Sequence, residues 1–253
     1  MKYLLYDSSM EGLFSSIFFV CKNRLEDISI RKQAEYTPGL FDVNINPDLD
    51  PHNAARFVSS VKNGISKEAL RKIVMAFLSE EENVENVILD FVKKGLKRGK
   101  DILEDLADPA VLRMDQLSCR TERELHRFEG LVRFRELKDG SYYAAINPDT
   151  YILVLLRRHF VARLRDQDWI IHDIKRNKAL VYKNRCVELA RIIEIAASMG
   201  EGACYTEDEI LYSTIWKEYC KKISIPERKN IKLKMQFMPK KYWKQLIEID
   251  GTI

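Results

Sequence analysis

The spacing of apolar and polar positions predicts a chain of mixed helices and strands. Tyr3 to Tyr6 reads as a short apolar strand ending at Asp7, the polar turn SSMEG comes next, and Leu13 to Val20 continues with helical spacing, which makes a β-α unit. Ile28 to Ile30 and Phe41 to Ile45 read as two further strands. Helices then take over. After the turn NPDLDP at 46–51 one helix runs to about Lys62, and Ser66 caps another from Lys67 to Leu78. A third spans Val84 to Leu96, with Val84, Val87, Ile88, Phe91 and Val92 as its apolar stripe. Gly95, Arg98, Gly99 and the pair Asp108-Pro109 punctuate the chain beyond that stripe, so a division into residues 1–112 and 113–253 is expected.

The pattern is most informative between Thr121 and Tyr182. Thr121 with Glu124 forms a capping box, and Gly130 is a stop signal, which predicts a short helix carrying His126 and Arg127. LVRFRELKDGSYYAAI holds two runs rich in Val, Phe and Tyr around Asp139-Gly140, a hairpin signature. Asn147 as N-cap and Pro148 at the first helical position predict a helix through YILVLLRRHFVARL. WIIHDI and ALVYK form a second strand pair around Lys175 to Lys178, and alternation sets His172 on the face opposite Ile171 and Asp173. Further on, Val187 to Met199 reads as a helix ended by Gly200 and Gly202. Thr206 and Glu209 cap another, Pro226 breaks the chain, and Pro239 opens a final helix, KKYWKQLIEI. The expected fold class is α+β, mainly helical, with a small N-terminal β-α region and a C-terminal part built on two antiparallel hairpins flanking a helix.

Charge changes this picture. The net charge of +4 conceals an asymmetry: residues 1–112 carry 15 Lys/Arg against 18 Asp/Glu, and residues 113–253 carry 27 against 20. Basic residues concentrate after Tyr212, including Lys217, Lys221, Lys222, Lys240, Lys241 and Lys244, and they alternate with Trp216, Tyr219, Phe237, Tyr242 and Trp243. That mixture suits phosphate contacts beside stacking rings, and it equally suits a solvated charged face. The five cysteines are scattered with no CxxC pair, so reduced thiols are expected instead of disulfides or a zinc knuckle. There is no eighteen-residue apolar run and no signal-peptide cleavage pattern, so a cytoplasmic protein without membrane association is expected. Neither GxGxxG nor GxxxxGK[ST] occurs, so no nucleotide-loop motif supports a ligand at the Asp7 to Gly12 turn.

Three of the four histidines, His126, His159 and His172, fall within 47 residues. None belongs to an HxH, HxxxH or HExxH arrangement, so no metal site and no cofactor is expected. Asp173 is sequence-adjacent to His172 and therefore faces away from it, which removes a triad-like pairing. Each histidine is either a hydrogen-bonded structural residue or, if the three converge on one side of the sheet, part of an acid-base or phosphate-binding centre. A second constellation is arginine: Arg120, Arg123, Arg127, Arg133, Arg135, Arg157, Arg158, Arg163, Arg165 and Arg176. The planar guanidinium matches phosphate oxygens bidentately, although neighbouring carboxylates can absorb many of these charges.

These residues also carry a likeness. E-x-H-R around His126, V-R-F at Arg133, H-F at His159, W-x-I-H-D-x-x-R from Trp169 to Arg176, MPKKYWKQL and the opening YDSSMEGLFSSIF resemble a bacterial family of DNA-metabolism (DNA-repair) proteins. The main part of those proteins is a domain of unknown function. The resemblance implies a companion of a radical S-adenosylmethionine (radical SAM) DNA-modification or repair protein; some members of that family are joined to a uracil-DNA-glycosylase-like domain. The chain has no CxxxCxxC motif, so it would be the companion and not the radical enzyme.

Two readings result. The first is a DNA-binding accessory protein in a repair or modification pathway, acting with a radical SAM partner. Its contact residues for nucleic acid or partner would be Arg127, Arg133, His159, His172 and Arg176, then Lys240, Lys241 and Trp243. The second is a hydrolase or lyase acting on damaged nucleic acid through a His/Arg centre, with His126, His159 and His172 as catalytic candidates.

Overall fold

A computed structural model describes residues 2–45, 52–191 and 205–249. The fold is mixed α+β and mainly helical, as the pattern predicts. The chain separates into two compact units, residues 1–122 and 123–253.

In the first unit β1 (Lys2–Tyr6) lies at the centre of a parallel three-stranded sheet, between β2 (Ile28–Lys32) and β3 (Val43–Ile45). Leu4, Tyr6 and Ile30 point into the core, as strand alternation requires. Helix α1 (Met10–Lys22) starts at Ser9, whose hydroxyl accepts from the Gly12 amide at 2.9 Å, and Asp7 in turn accepts from the Ser9 amide and hydroxyl. A Cβ at position 12 would sit 2.1 Å from Asp7 Oδ1, so a larger residue there would displace the Asp7 carboxylate from its bonds to Ser9. Asp7 is thus engaged in capping. Helices α2 (His52–Gly64), α3 (Lys67–Phe77) and α4 (Val84–Arg98) complete the unit, and Ser66 caps α3 as its sequence position predicts. From α4, Glu85 accepts from the buried Tyr6 hydroxyl at 2.7 Å, while the Asn86 carboxamide pairs with both backbone groups of Ile30. The turn expected at 46–51 lies outside the described residues.

Helix α5 runs unbroken from Pro109 to Leu131, where the capping-box pattern predicts a short helix starting at Thr121. Its actual start is Asp108-Pro109: Asp108 Oδ1 accepts from the Ala110 amide at 2.8 Å, and proline occupies a first-turn position where no amide proton is needed. Thr121 instead bonds back to the Leu117 carbonyl inside the helix, and Glu124 is used elsewhere.

The second unit holds a five-stranded sheet in the order β4 (Arg135–Glu136), β5 (Tyr142–Ile146), β6 (Trp169–Asp173), β7 (Lys178–Lys183), β8 (Cys186–Arg191). Both expected hairpins form, with Gly140 at φ 79° in the first. The sheet as a whole is mixed, because β5 and β6 run parallel across a connection containing α6 (Leu153–Arg163). Strand β8 also corrects the helix expected from Val187. Asn184 and Arg185 both have positive φ, 51° and 63°, the geometry of a two-residue hairpin loop, so the chain turns back as a strand. The rest of that expected helix, with Gly200 and Gly202, lies outside the described residues. Helix α7 (Glu207–Ile223) has its expected Thr206 cap; α8 (Ile231–Phe237) comes next, and the final expected helix is a 3-10 turn over Lys240–Gln245.

One face of this sheet is its core. Ile146, Trp169, Ile171, Leu180 and Tyr182 pack against Leu153, Leu156 and Phe160 of α6 and against Phe128 of α5 and Tyr242. Trp169 stacks on Tyr182 with ring centroids 5.2 Å apart. Fully burying each such side chain contributes roughly 1.5–3 kcal/mol.

Candidate functional site

The helix expected to begin at Asn147 begins further along, at Leu153, and the loop before it shows why. Glu124, 4% exposed, accepts from the amides of Asp149 (2.9 Å) and Thr150 (2.7 Å), from the Thr150 hydroxyl (2.6 Å) and from the Tyr242 hydroxyl. On the other side Arg176 donates to the carbonyls of Pro148 (3.2 Å) and Asp149 (2.7 Å) while pairing with the fully buried Asp173 at 2.8 Å. Lys175 adds a second bond to the Asp149 carbonyl, and Lys241 pairs with the Asp149 carboxylate. A helix begun at Asn147 would aim the Pro148 and Asp149 carbonyls at amides one turn further on; here those carbonyls accept from Arg176 and Lys175 instead. Burial and the neighbouring Glu124 carboxylate push the Tyr242 hydroxyl's ionisation far above its ordinary range, so this hydroxyl stays a donor.

Several sequence candidates are absorbed by this clamp. Arg176 is 8% exposed and its donors are spent on Asp173 and carbonyls. Lys241 serves Asp149 and Glu124; Trp243 is 9% exposed and donates to the Met238 carbonyl, with Lys234 and Lys240 over its ring. Arg127 lies half-buried on α5 near Tyr242, where its charge opposes the rise in that hydroxyl's pKa.

Nor do the three histidines converge. His126 is 90% exposed with Nδ1 3.6 Å from Glu129, and His159 Nδ1 lies 4.0 Å from the same carboxylate. His172 stands apart on the outer sheet face, opposite the core residues Trp169 and Ile171. Its Nδ1 is hydrogen-bonded to the Tyr143 hydroxyl at 2.8 Å, and its buried Nε2 has no hydrogen-bond partner. Burial holds this imidazole below the ordinary histidine range, with the Asn177 side chain acting in the opposite sense. Burial also pushes the Tyr143 hydroxyl up to about 12, assisted by Tyr205. Among the described residues no group of three or more His, Cys, Asp or Glu could hold a metal ion, and no helix is long and apolar enough to cross a membrane.

What the outer face does hold is a cavity of about 420 Å³. Arg133, Arg135, Lys217 and Lys244 give it four cationic side chains; Tyr143 and Tyr205 give it two rings; Ala145, Ile174 and Leu246 contribute apolar wall. No carboxylate stands among its described lining residues. Behind the wall, Glu248 binds Arg133 at 2.6 Å, and that arginine also donates to the carbonyls of Gly130 and Val132. Burial alone would raise the Glu248 carboxyl, but Arg133, a backbone amide and the Trp216 side chain together more than offset it and hold it below the usual range. Arg135 engages Glu209 through Nε at 3.3 Å and lies 3.5 Å from the Tyr205 ring centroid. Glu209 is itself fixed by the Glu136 amide and the Ser213 hydroxyl.

Of the residues expected at a contact surface, the cavity includes Arg133, and His172 reaches it through Tyr143. The remaining lining residues are not among those expected. A signal for two of the cavity's residues is present in the sequence: alternation puts Arg133 and Arg135 on one face, and hairpin pairing sets Arg135 opposite Tyr143.

A family model described as a domain of unknown function, DUF4130, matches residues 82–248, more than half of the chain. No curated protein and no solved structure matches it.

Proposed function

We propose, from the premise that this chain belongs to the DUF4130 domain family, that it is a nucleic-acid-binding accessory protein of DNA repair or modification. The observation that carries this reading is the outer-face cavity, whose described lining has four cations, two tyrosines and no carboxylate. Such a surface attracts phosphate and offers rings for bases, the combination used by proteins that bind single strands. Helices α7 and α8 extend the same chemistry, with exposed Trp216, Tyr219 and Phe237 among lysines, and with Trp216 and Tyr219 stacked at 5.7 Å. The reacting chemistry would come from a radical SAM partner, as the likeness in the sequence implies.

Fluorescence anisotropy with single-stranded, duplex and nicked DNA over a series of salt concentrations tests the reading. Two phosphate contacts, one for each uncommitted cation of the cavity, give a log-log salt slope of roughly −1.4 for a single strand. Absence of binding at low salt to all three DNAs overturns it.

The second reading, a hydrolase or lyase on damaged nucleic acid, has the Tyr143–His172 hydrogen bond in its favour, since it sets a neutral imidazole directly behind a cavity wall. Turnover of abasic DNA by the purified protein, lost in His172→Ala, would support it.

A further inference from the structure

We propose that the outer-face cavity is a pocket for one nucleotide unit, taking its phosphate at Arg135 and Lys244 and its base against the apolar wall beside Gln245. This deepens the nucleic-acid reading and rests on it.

The size of the cavity suits such a ligand. At about 420 Å³ it falls in the range of roughly 300–1,000 Å³ typical of small-molecule sites. A single nucleotide fits such a space and a duplex does not.

Two of its cations remain open. Arg133 is saturated: Nε and Nη2 bind Glu248, and Nη1 faces two carbonyls. Arg135 differs, because only Nε is engaged, and its two terminal nitrogens have no partner among the described residues. Its guanidinium is held on one side by the Tyr205 ring and at Nε by a carboxylate that is itself tied down, so the free fork is fixed in direction. A planar fork fixed this way suits two phosphate oxygens at small entropic cost. Lys244 is exposed and also lacks a partner among the described residues, which leaves a second donor in the same cavity.

The apolar part of the wall separates a nucleotide from a bare anion. Ala145, Ile174 and Leu246 line the cavity beside its cations, and a phosphate alone gains nothing from them, whereas a base does. Ala145 stands directly opposite His172 in the strand register, and its small side chain leaves open wall where a base could lie flat. Phosphate donors beside an apolar wall in a cavity of this size describe a nucleoside monophosphate, whether free or within a strand.

The experiment measures calorimetric affinity for deoxyadenosine monophosphate, deoxyribose 5-phosphate and inorganic phosphate, plus anisotropy of a labelled twelve-nucleotide single strand. The proteins are the wild type, Ala145→Leu, Lys244→Ala and Lys232→Ala of α8. Expected is that the mononucleotide binds more tightly than deoxyribose 5-phosphate and competes with the strand. Ala145→Leu should weaken mononucleotide and strand alike by about tenfold, the scale of one stacked base. Lys244→Ala should weaken all phosphate ligands, and because Lys244 has no described partner its loss is not a folding defect. If Ala145→Leu and Lys244→Ala bind the strand as the wild type does while Lys232→Ala does not, the pocket is overturned and the nucleic-acid reading stands. If the mononucleotide binds and responds to Ala145→Leu but the strand does not bind, the pocket stands and the strand reading falls. A mononucleotide that binds no better than deoxyribose 5-phosphate overturns the pocket.

Discussion

The two faces of the five-stranded sheet are built from alternate residues of the same strands, and they obey opposite rules. Inward, Trp169, Ile171, Leu180 and Tyr182 are buried against α6, and the polar groups nearby, Glu124, Asp173 and Arg176, are matched with partners. Outward, the alternate residues Tyr143, Ala145 and His172 border a cavity where Arg135, Lys244, Gln245 and the His172 Nε2 keep unspent hydrogen-bonding capacity. Buried polar groups in a purely structural region are almost always satisfied. The inner face has its own exception, since Trp169 Nε1 also lacks a partner; what sets the outer face apart is an open cavity with uncommitted cations, and it is there that the proposed binding belongs.

Substitutions can break this contrast, and the largest effect is expected inside. Glu124→Ala leaves the Asp149 and Thr150 amides, the Thr150 hydroxyl and the Tyr242 hydroxyl without their acceptor, and should destabilise by about 3–5 kcal/mol in urea melts. Arg176→Ala strands the fully buried Asp173 and should cost about 3 kcal/mol, read in the same melts. Near-wild-type stability in either variant would mean that the 147–152 loop does not depend on its clamp.

Outer-face changes should be smaller. Tyr143→Phe removes one hydrogen bond to His172 and should cost about 1 kcal/mol. His172 sharpens the contrast through pH. Its folded pKa is depressed below the ordinary 6.5, so the folded state binds fewer protons than the unfolded state just below that value. Its contribution is present above pH 6.5 and is lost as pH falls through the folded pKa. His172→Gln should therefore flatten the stability-versus-pH curve on the acid side of 6.5, and an unchanged slope would show that the imidazole is not buried as described. The smallest expected effect is Lys244→Ala, within about 0.5 kcal/mol of wild-type stability despite its effect on ligand affinity.

Much of the fold is legible in the sequence because its signals are local. The Ser66 cap, the Asp139-Gly140 hairpin and the Thr206 cap each depend on residues within a few positions of one another, and each forms. The misses trace to partners distant in sequence. The Thr121–Glu124 pattern reads as a helix start only if Glu124 turns back on its own helix, yet it serves residues 25 and 26 positions onward. Asn147-Pro148 has every local mark of an N-terminus and is overruled by Glu124 and Arg176. Strand β8 depends on Arg185 accepting positive φ after Asn184, which propensity disfavours. The site is half visible. Arginine density points to Arg133 and Arg176 alike, and only the structure separates a cavity wall from a buried ion pair, while Tyr205, Lys217, Lys244 and Gln245 join the site through long-range packing.

The most direct test of the two-face contrast is a two-dimensional NMR titration of the protein with deoxyadenosine monophosphate, with assigned amides monitored on both sheet faces. Saturable shifts are expected at Tyr143, Ala145, Tyr205 and Gln245, with Ile171 and Leu180 unmoved. Shifts confined to α8, or no saturable shift around the cavity, would contradict a binding site on the outer face.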